Sequence, residues 1–305
     1  MPSARFEQPT TLPQVTELLA AGGWQLLAGG TDVYPARVGK PLDDAWIDIT
    51  RVPALRGIRQ DDAGWWFGAT TTWTDVLRAD LPPQFDGLKQ AAREVGGVQI
   101  QNTGTLAGNL CNASPAADGT PVWMALDAQV LLQSRDGERR EPVAGFVLAN
   151  RRTACAPHEV VVALHVPRRS DRARSVFIKL GGRRYLVISM TMVALVLDAD
   201  DAGRVRSIGA AVGSCSVRAQ RLPALEARLL GQPLATLAGA AISAADLVPL
   251  APIDDLRASA AYRRDATATL LRRALGALTS QENVALPLSL IPAGDGRPRP
   301  ALGRT

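Results

Sequence analysis

Leu26-Leu27-Ala28-Gly29-Gly30-Thr31-Asp32-Val33 is an apolar run that stops on two glycines, then a hydroxyl and a carboxylate. Adjacent glycines open backbone conformations closed to other residues and leave main-chain N–H groups uncovered, so an anion can come close. A segment of the same character, Thr103-Gly104-Thr105-Leu106-Ala107-Gly108-Asn109, lies far downstream. Two small, hydroxyl-rich loops in one chain suggest two jaws on one phosphate-bearing ligand. A glycine pair alone also makes an ordinary turn. Neither segment has the Rossmann glycine spacing or the Lys-Ser/Thr ending of a P-loop, so neither of those nucleotide sites is indicated.

Outward from the first segment, Thr11-Leu12-Pro13-Gln14 has capping-box spacing, and Leu12, Val15, Leu18 and Leu19 share a helical face. Gly22-Gly23 ends that helix, and Trp24 to Ala28 is a strand feeding the loop. Trp46 to Ile49 reads as another strand, and Pro53 to Ile58 as a return. This makes a small α/β unit of about sixty residues, marginal as a lone core. Strands are expected at Trp65–Ala69, Val130–Leu132 and Glu159–Val166, with a hairpin turn at Asp136-Gly137. Helices are expected at Thr72–Leu77, Asp86–Val95 and Pro121–Leu126. From Ser175 the stretches Phe177–Leu180, Val187–Leu197 and Val205–Val212 read as an antiparallel meander. Leu222–Leu230, Ala235–Leu247 and Ala266–Leu278 then read as helices, and a sheet followed by helices is an α+β pattern. Ser280 to Thr305 is rich in proline, glycine and arginine and reads as an extended or disordered tail. The expected units are 1–60, 61–171, 172–279 and the tail 280–305.

Composition narrows the chemistry. The chain has 305 residues, 47% of them apolar, with a mean hydropathy of +0.03, the profile of an ordinary globular protein. The net charge is +5, but the arginine pairs Arg151-Arg152, Arg168-Arg169, Arg183-Arg184 and Arg263-Arg264 are scattered and carry no nucleic-acid motif. Cys111, Cys155 and Cys215 stand far apart without a CxxC. That argues against a disulfide framework, a structural zinc and an iron–sulfur cluster held by this chain. With His158 and His165 as the only histidines, no metal site is expected. Met1 to Phe6 holds no apolar leader, and Leu186–Leu197 is too short to span a bilayer. A cytoplasmic location is expected, with export in company of a partner left open.

Three segments in order resemble a known family. They are Leu27-Ala28-Gly29-Gly30-Thr31-Asp32; Thr105-Leu106-Ala107-Gly108-Asn109 continuing through Ala113-Ser114-Pro115-Ala116-Ala117-Asp118; and Lys179-Leu180-Gly181-Gly182-Arg183-Arg184. The pattern resembles the FAD-binding medium subunit of the molybdenum hydroxylases, the xanthine dehydrogenase, aldehyde oxidoreductase and carbon monoxide dehydrogenase family. It runs from Thr11 to about Leu278 and includes Ala258 to Arg264. The resemblance implies an α+β chain with the two-subdomain PCMH-type, vanillyl-alcohol-oxidase-like FAD-binding fold, then a C-terminal domain of antiparallel sheet plus helices. It implies that Leu26, Leu27, Ala28, Gly29, Gly30, Thr31, Asp32 and Val33, with Thr105, Leu106, Ala107, Gly108 and Asn109, line the FAD phosphates and ribityl chain through backbone N–H groups. Asp118 matches an acidic FAD contact, and Val161 and Lys179 match positions beside the cofactor. No catalytic residue and no metal ligand fall on this chain.

Each assignment has a plainer counterpart. Asp118 precedes Gly119-Thr120-Pro121 as a helix cap would, and both roles are compatible. Lys179 reads as a surface lysine on an edge strand or, through the family match alone, as a cation that favours the reduced flavin ring. Cys111 reads as a small buried hydrophobe in preference to a covalent flavin link. Three departures from the family pattern stand out: Ala107 where glycine is usual, Gln101 where arginine is common, and Tyr185-Leu186-Val187 in place of an acidic run. The wording of residues 28 to 33 leans towards the xanthine dehydrogenase branch. The implied role is electron transfer from 2Fe-2S clusters on an iron–sulfur small subunit, themselves fed by a molybdopterin large subunit, through FAD to NAD or another acceptor. The implied assembly is a dimer of heterotrimers. The competing readings are a self-sufficient flavoenzyme of the same fold and a scaffold subunit that has lost FAD.

Overall fold

The computed structural model describes residues 5–39 and 44–280. The expected tail falls almost wholly outside them. The first unit is a three-stranded parallel sheet of β1 (Phe6–Glu7), β2 (Trp24–Leu27) and β3 (Ala45–Asp48), with β3 in the centre. Helix α1 (Leu12–Ala21) is set by its sequence ends. Gln14 Oε1 accepts the N–H groups of Thr10 and Thr11 at 3.0 and 3.2 Å, and Gly22 and Gly23 take φ of +77° and +75° to end it.

The second unit is a five-stranded antiparallel sheet. Its strands are β4 (Ile58–Asp61), β5 (Gly64–Gly68), β6 (Gln129–Ser134), β7 (Gly137–Pro142) and, after a two-stranded ribbon of β8 (Val147–Ala149) and β9 (Arg152–Thr153), β10 (Val160–Pro167). The order is β4-β5-β10-β6-β7, so β10 is the middle strand. A register shift between Val161 and Ala163 changes the phase of β10. Val160 and Val162 therefore face the α1 core, while Val161, Leu164 and Val166 all face the larger one. That larger core is built on Phe67, Phe85 and Trp123, whose rings meet edge to face at 5.2 Å. The helices α2 (Trp73–Arg78), α3 (Asp86–Glu94), α4 (Val98–Thr103), α5 (Leu106–Asn112), α6 (Gly119–Ala125) and α7 (Val143–Phe146) belong to this unit.

The third unit is the expected meander, β11 (Arg174–Leu180), β12 (Thr191–Ala199), β13 (Val205–Gly213) and β14 (Gln220–Arg221). Every residue of β12 is buried, because the sheet is covered on both faces. Met192, Ala194 and Val196 join the core of the second unit. Val193, Leu195 and Leu197 join a core roofed by α8 (Pro223–Leu229), α9 (Leu234–Leu237) and α10 (Ala260–Thr279). The meander is thereby welded to the second unit and does not hang from it.

Three local expectations need correction. Residues 187–190 lie outside β12. Met190 N–H donates to Leu180 O, and the chain between them makes an excursion with Leu186 at φ +51°. The stretch Ala235–Leu247 is not one helix but α9 plus a short 3-10 turn, broken at Gly239 and restarted by Ser243, whose N–H and hydroxyl both bond Asp246. Helix α10 begins six residues before the expected Ala266, capped by Ser259 Oγ accepting from Tyr262 N–H at 3.2 Å. A Cβ on Gly276, inside this helix, would meet nothing within 4 Å. Gly276→Ala is expected to stabilise the protein by about 0.5–1 kcal/mol through lower helix-forming entropy cost, which urea unfolding measures. Among the described residues no helix is long and apolar enough to cross a membrane.

Candidate functional site

The backbones of the two glycine segments touch. A Cβ on Gly29 would lie 1.9 Å from the Thr103 carbonyl oxygen and 2.6 Å from its carbon, so only glycine lets these chains approach. Gly30 sits at φ +68°, and a Cβ there would be 2.3 Å from the Tyr34 ring. A cleft of about 690 Å³ opens from this contact, within the range of cofactor sites.

The cleft gathers most of the expected residues. Leu26, Ala28, Gly29, Gly30, Thr31, Asp32 and Val33 line one side, with Thr105, Ala107, Gly108, Asn109, Asp118 and Val161 across from them. Three expected residues do not line it. Leu27 points to the opposite side of β2 from Leu26, as strand alternation requires. Leu106 is wholly buried in the large core. Lys179 lies behind Asp118.

The two segments differ in what they offer. The N–H groups of residues 29 to 33 find no acceptor among the described residues. Those of Leu106, Ala107, Gly108 and Asn109 are engaged by Thr71 O, Ala69 O, Thr105 Oγ1 and Thr105 O. The second segment is thus the capped first turn of α5 and not a loop. Thr105 is its N-cap, which explains why Ala107 is tolerated where glycine is usual: its φ is helical, not positive. What this turn presents is Asn109, whose Oδ1 is buried and has no hydrogen-bond partner. Free amides at residues 29 to 33, in a cleft also lined by the Asp32 carboxylate, fit a ligand carrying both phosphate acceptors and hydroxyl donors, as FAD does.

Charge in the cleft is unusual for a phosphate site. Its described lining contains Asp32, Glu94 and Asp118 and no lysine or arginine. Lys179, on β11, donates to Asp118 Oδ2 at 2.8 Å and to Val187 O at 3.3 Å, while Ser189 Oγ donates to Asp118 Oδ1 at 2.8 Å. Asp118 therefore makes no side-chain cap, and Lys179 is not the surface lysine of the plainer reading, since it is only 4% exposed. Burial pushes the Glu94 carboxyl above its ordinary value; Asp118 adds to this, and Lys179 and Arg184 oppose it.

Sequence reasoning missed part of the wall. Glu94, Val95 and Ile100 reach the cleft around the Gly96-Gly97 break, and Leu186, Val187 and Ile188 reach it from the 181–190 excursion. Arg183 steadies that excursion through Leu186 O, and Arg263 on α10 through Met190 O. Cys111 also differs from expectation. It is exposed and opens into the cleft instead of packing in a core.

Residues 2–169 match the family described as FAD binding domain in molybdopterin dehydrogenase, and residues 160–278 match the CO dehydrogenase flavoprotein C-terminal domain. The chain is 28% identical over 282 residues to the carbon monoxide dehydrogenase medium chain of Hydrogenophaga pseudoflava, covering 90% of this chain and 97% of that one. It is also 28% identical over 279 residues to the xanthine dehydrogenase FAD-binding subunit of Escherichia coli O157:H7, covering 89% and 94%. Equal identities give no support to the leaning towards the xanthine branch. The solved carbon monoxide dehydrogenase of H. pseudoflava superposes with a TM-score of 0.81 at 28% identity, over 91% of this chain and 98% of its counterpart. The fold is thus shared with that subunit, and the chain belongs to the FAD-binding subunits of the molybdenum hydroxylase family.

Proposed function

We propose that this chain holds one FAD in the 690 Å³ cleft and serves as the electron outlet of a molybdenum-containing hydroxylase complex. The observation that carries the reading is the run of N–H groups at residues 29 to 33, unengaged among the described residues, in a cleft also lined by Asn109 and whose described lining holds no lysine or arginine. A pyrophosphate is held there by main-chain dipoles, each charge-assisted hydrogen bond contributing about 1.5–3 kcal/mol. The Asp32 carboxylate accepts hydroxyl donors and suits the ribityl or ribose part. Val95, Ile100, Val161 and Leu186 supply an apolar wall that keeps water from the ring. Bound FAD supplies the exchange between one-electron and two-electron transfer.

The three separated cysteines support placing the 2Fe-2S clusters on a small partner subunit, with molybdopterin on a large one, in a dimer of heterotrimers. Electrons from those clusters leave through this chain to NAD or another acceptor. The units 1–60, 61–171 and 172–279 are the proposed division of the chain.

Native purification tests this, with the absorption spectrum, metal content and co-purifying chains recorded. Flavin bands with iron- and molybdenum-bearing partners are expected. A colourless protein that stays apo when FAD is added would mark a scaffold, and substrate turnover by this chain alone would mark a self-sufficient flavoenzyme. Either result contradicts the proposal.

A further inference from the structure

Glu94 ends α3 with its side chain turned into the cleft, and nothing in the fold accounts for it. Lys179 Nζ lies between two carboxylates, 2.8 Å from Asp118 Oδ2 and 3.8 Å from Glu94 Oε2, and the Lys179 and Glu94 side chains are 3% and 4% exposed. Asp118 has the lysine on one oxygen and Ser189 on the other, and both oppose the upward push of burial on its carboxyl. Glu94 has no hydrogen bond among the described residues, although it lines the cleft. One buried cation thus faces two buried carboxyls, and the closer one takes it. Arg184, in the 181–190 excursion, is the remaining charged group that acts on Glu94.

A buried carboxyl whose one nearby cation stands 3.8 Å away and is closer to another carboxylate is costlier as an anion than as a neutral acid. The cost grows when a dianionic pyrophosphate enters a cleft that already carries Asp32 and whose described lining has no lysine or arginine. A neutral carboxyl also has an O–H to donate, and Glu94 lines the cleft. Resting on the FAD reading above, we propose that Glu94 is a ligand-contacting residue that keeps its proton in the cleft and donates it in a hydrogen bond to the bound cofactor. The fold thereby offsets one negative charge in a site whose described lining has no cation to do so.

Linkage gives the test. If the bound state holds the Glu94 proton more tightly than the free state, FAD affinity falls as pH rises through the titration of Glu94. Flavin-free full-length protein is titrated with FAD by fluorescence quenching between pH 6 and pH 9. The dissociation constant of the unsubstituted protein is expected to rise about tenfold across this range, the effect of a one-unit difference in the Glu94 titration. Glu94→Gln keeps the donor and cannot titrate, so its profile is expected to be flat within about twofold. Glu94→Leu removes the donor and is expected to bind more weakly than Glu94→Gln at pH 6. Parallel profiles for the unsubstituted and Glu94→Gln proteins, or equal affinities for Gln and Leu, overturn the role of Glu94 while leaving the FAD reading intact. No FAD uptake by the unsubstituted protein at any pH overturns both.

Discussion

Gly29→Ala is expected to lose FAD by about a hundredfold in affinity and to fold less stably by about 1–3 kcal/mol. The added Cβ would sit 1.9 Å from Thr103 O, and the obstacle is backbone on both sides, so no rotamer relieves it. The segments must move apart by more than 1 Å, roughly the difference between that approach and an ordinary contact. Such a shift misaligns the amides of residues 29 to 33 from whatever phosphate they share with the Asn109 wall. Losing one or two charge-assisted hydrogen bonds costs about 3 kcal/mol, which is the hundredfold. Gly276→Ala serves as the control, because it adds the same methyl to an open helix position far from the cleft. Quenching of FAD fluorescence reads the affinity of both. A Gly29→Ala protein that binds within twofold of the unsubstituted one contradicts the claim that the two segments form one site.

Lys179→Met is expected to cost about 3–5 kcal/mol of stability, because it strands the Asp118 carboxylate beside the Glu94 carboxyl with no cation between them. Asp118→Asn is expected to cost less. It leaves the lysine with Glu94 3.8 Å away as a replacement partner. In Lys179→Met/Asp118→Asn the loss is expected to be smaller than the sum of the two, since a neutral pair no longer leaves a buried charge. Urea unfolding of the four proteins gives the coupling directly. A Lys179→Met protein within 1 kcal/mol of the unsubstituted one means that the ion pair is not what holds Asp118 in place. The position of Lys179 also changes its expected effect on a flavin. It acts through Asp118 and the Val187 carbonyl and not as a cation lining the cleft.

Much of the fold was legible because its signals are local. The Gly22-Gly23 stop, the Asp136-Gly137 turn and the meander from Ser175 onward all follow from backbone rules that act within a few residues. The first glycine segment was legible for the same reason. The second was misread as a loop because its glycines and hydroxyls resemble turn chemistry, whereas burial of Leu106, Ala107 and Leu110 against the large core pulls it into a helix. The phase change in β10 and the early start of α10 were hidden too, since a bulge and a cap are fixed by what packs beside them.

The missing parts of the site have one cause. Glu94 and Ile100 flank one glycine break, Ile188 sits on an excursion read as strand with Leu186 just before it, and Cys111 was assigned to the core. Each reaches the cleft only because α3, α5 and β11 converge on Asp118. Convergence of distant segments leaves no mark in the spacing of a single chain. Asn109 was named through the family pattern, and its place in the lining of the cleft is visible only in three dimensions.

The most direct measurement is the FAD stoichiometry of the purified chain, with FAD added to saturation and excess removed. The expected result is one FAD per chain, with affinity abolished or weakened about a hundredfold in Gly29→Ala and retained in Gly276→Ala. A chain that takes up no flavin, or takes it up equally in both variants, contradicts the assignment of the cleft between residues 26–33 and 105–109 as the cofactor site.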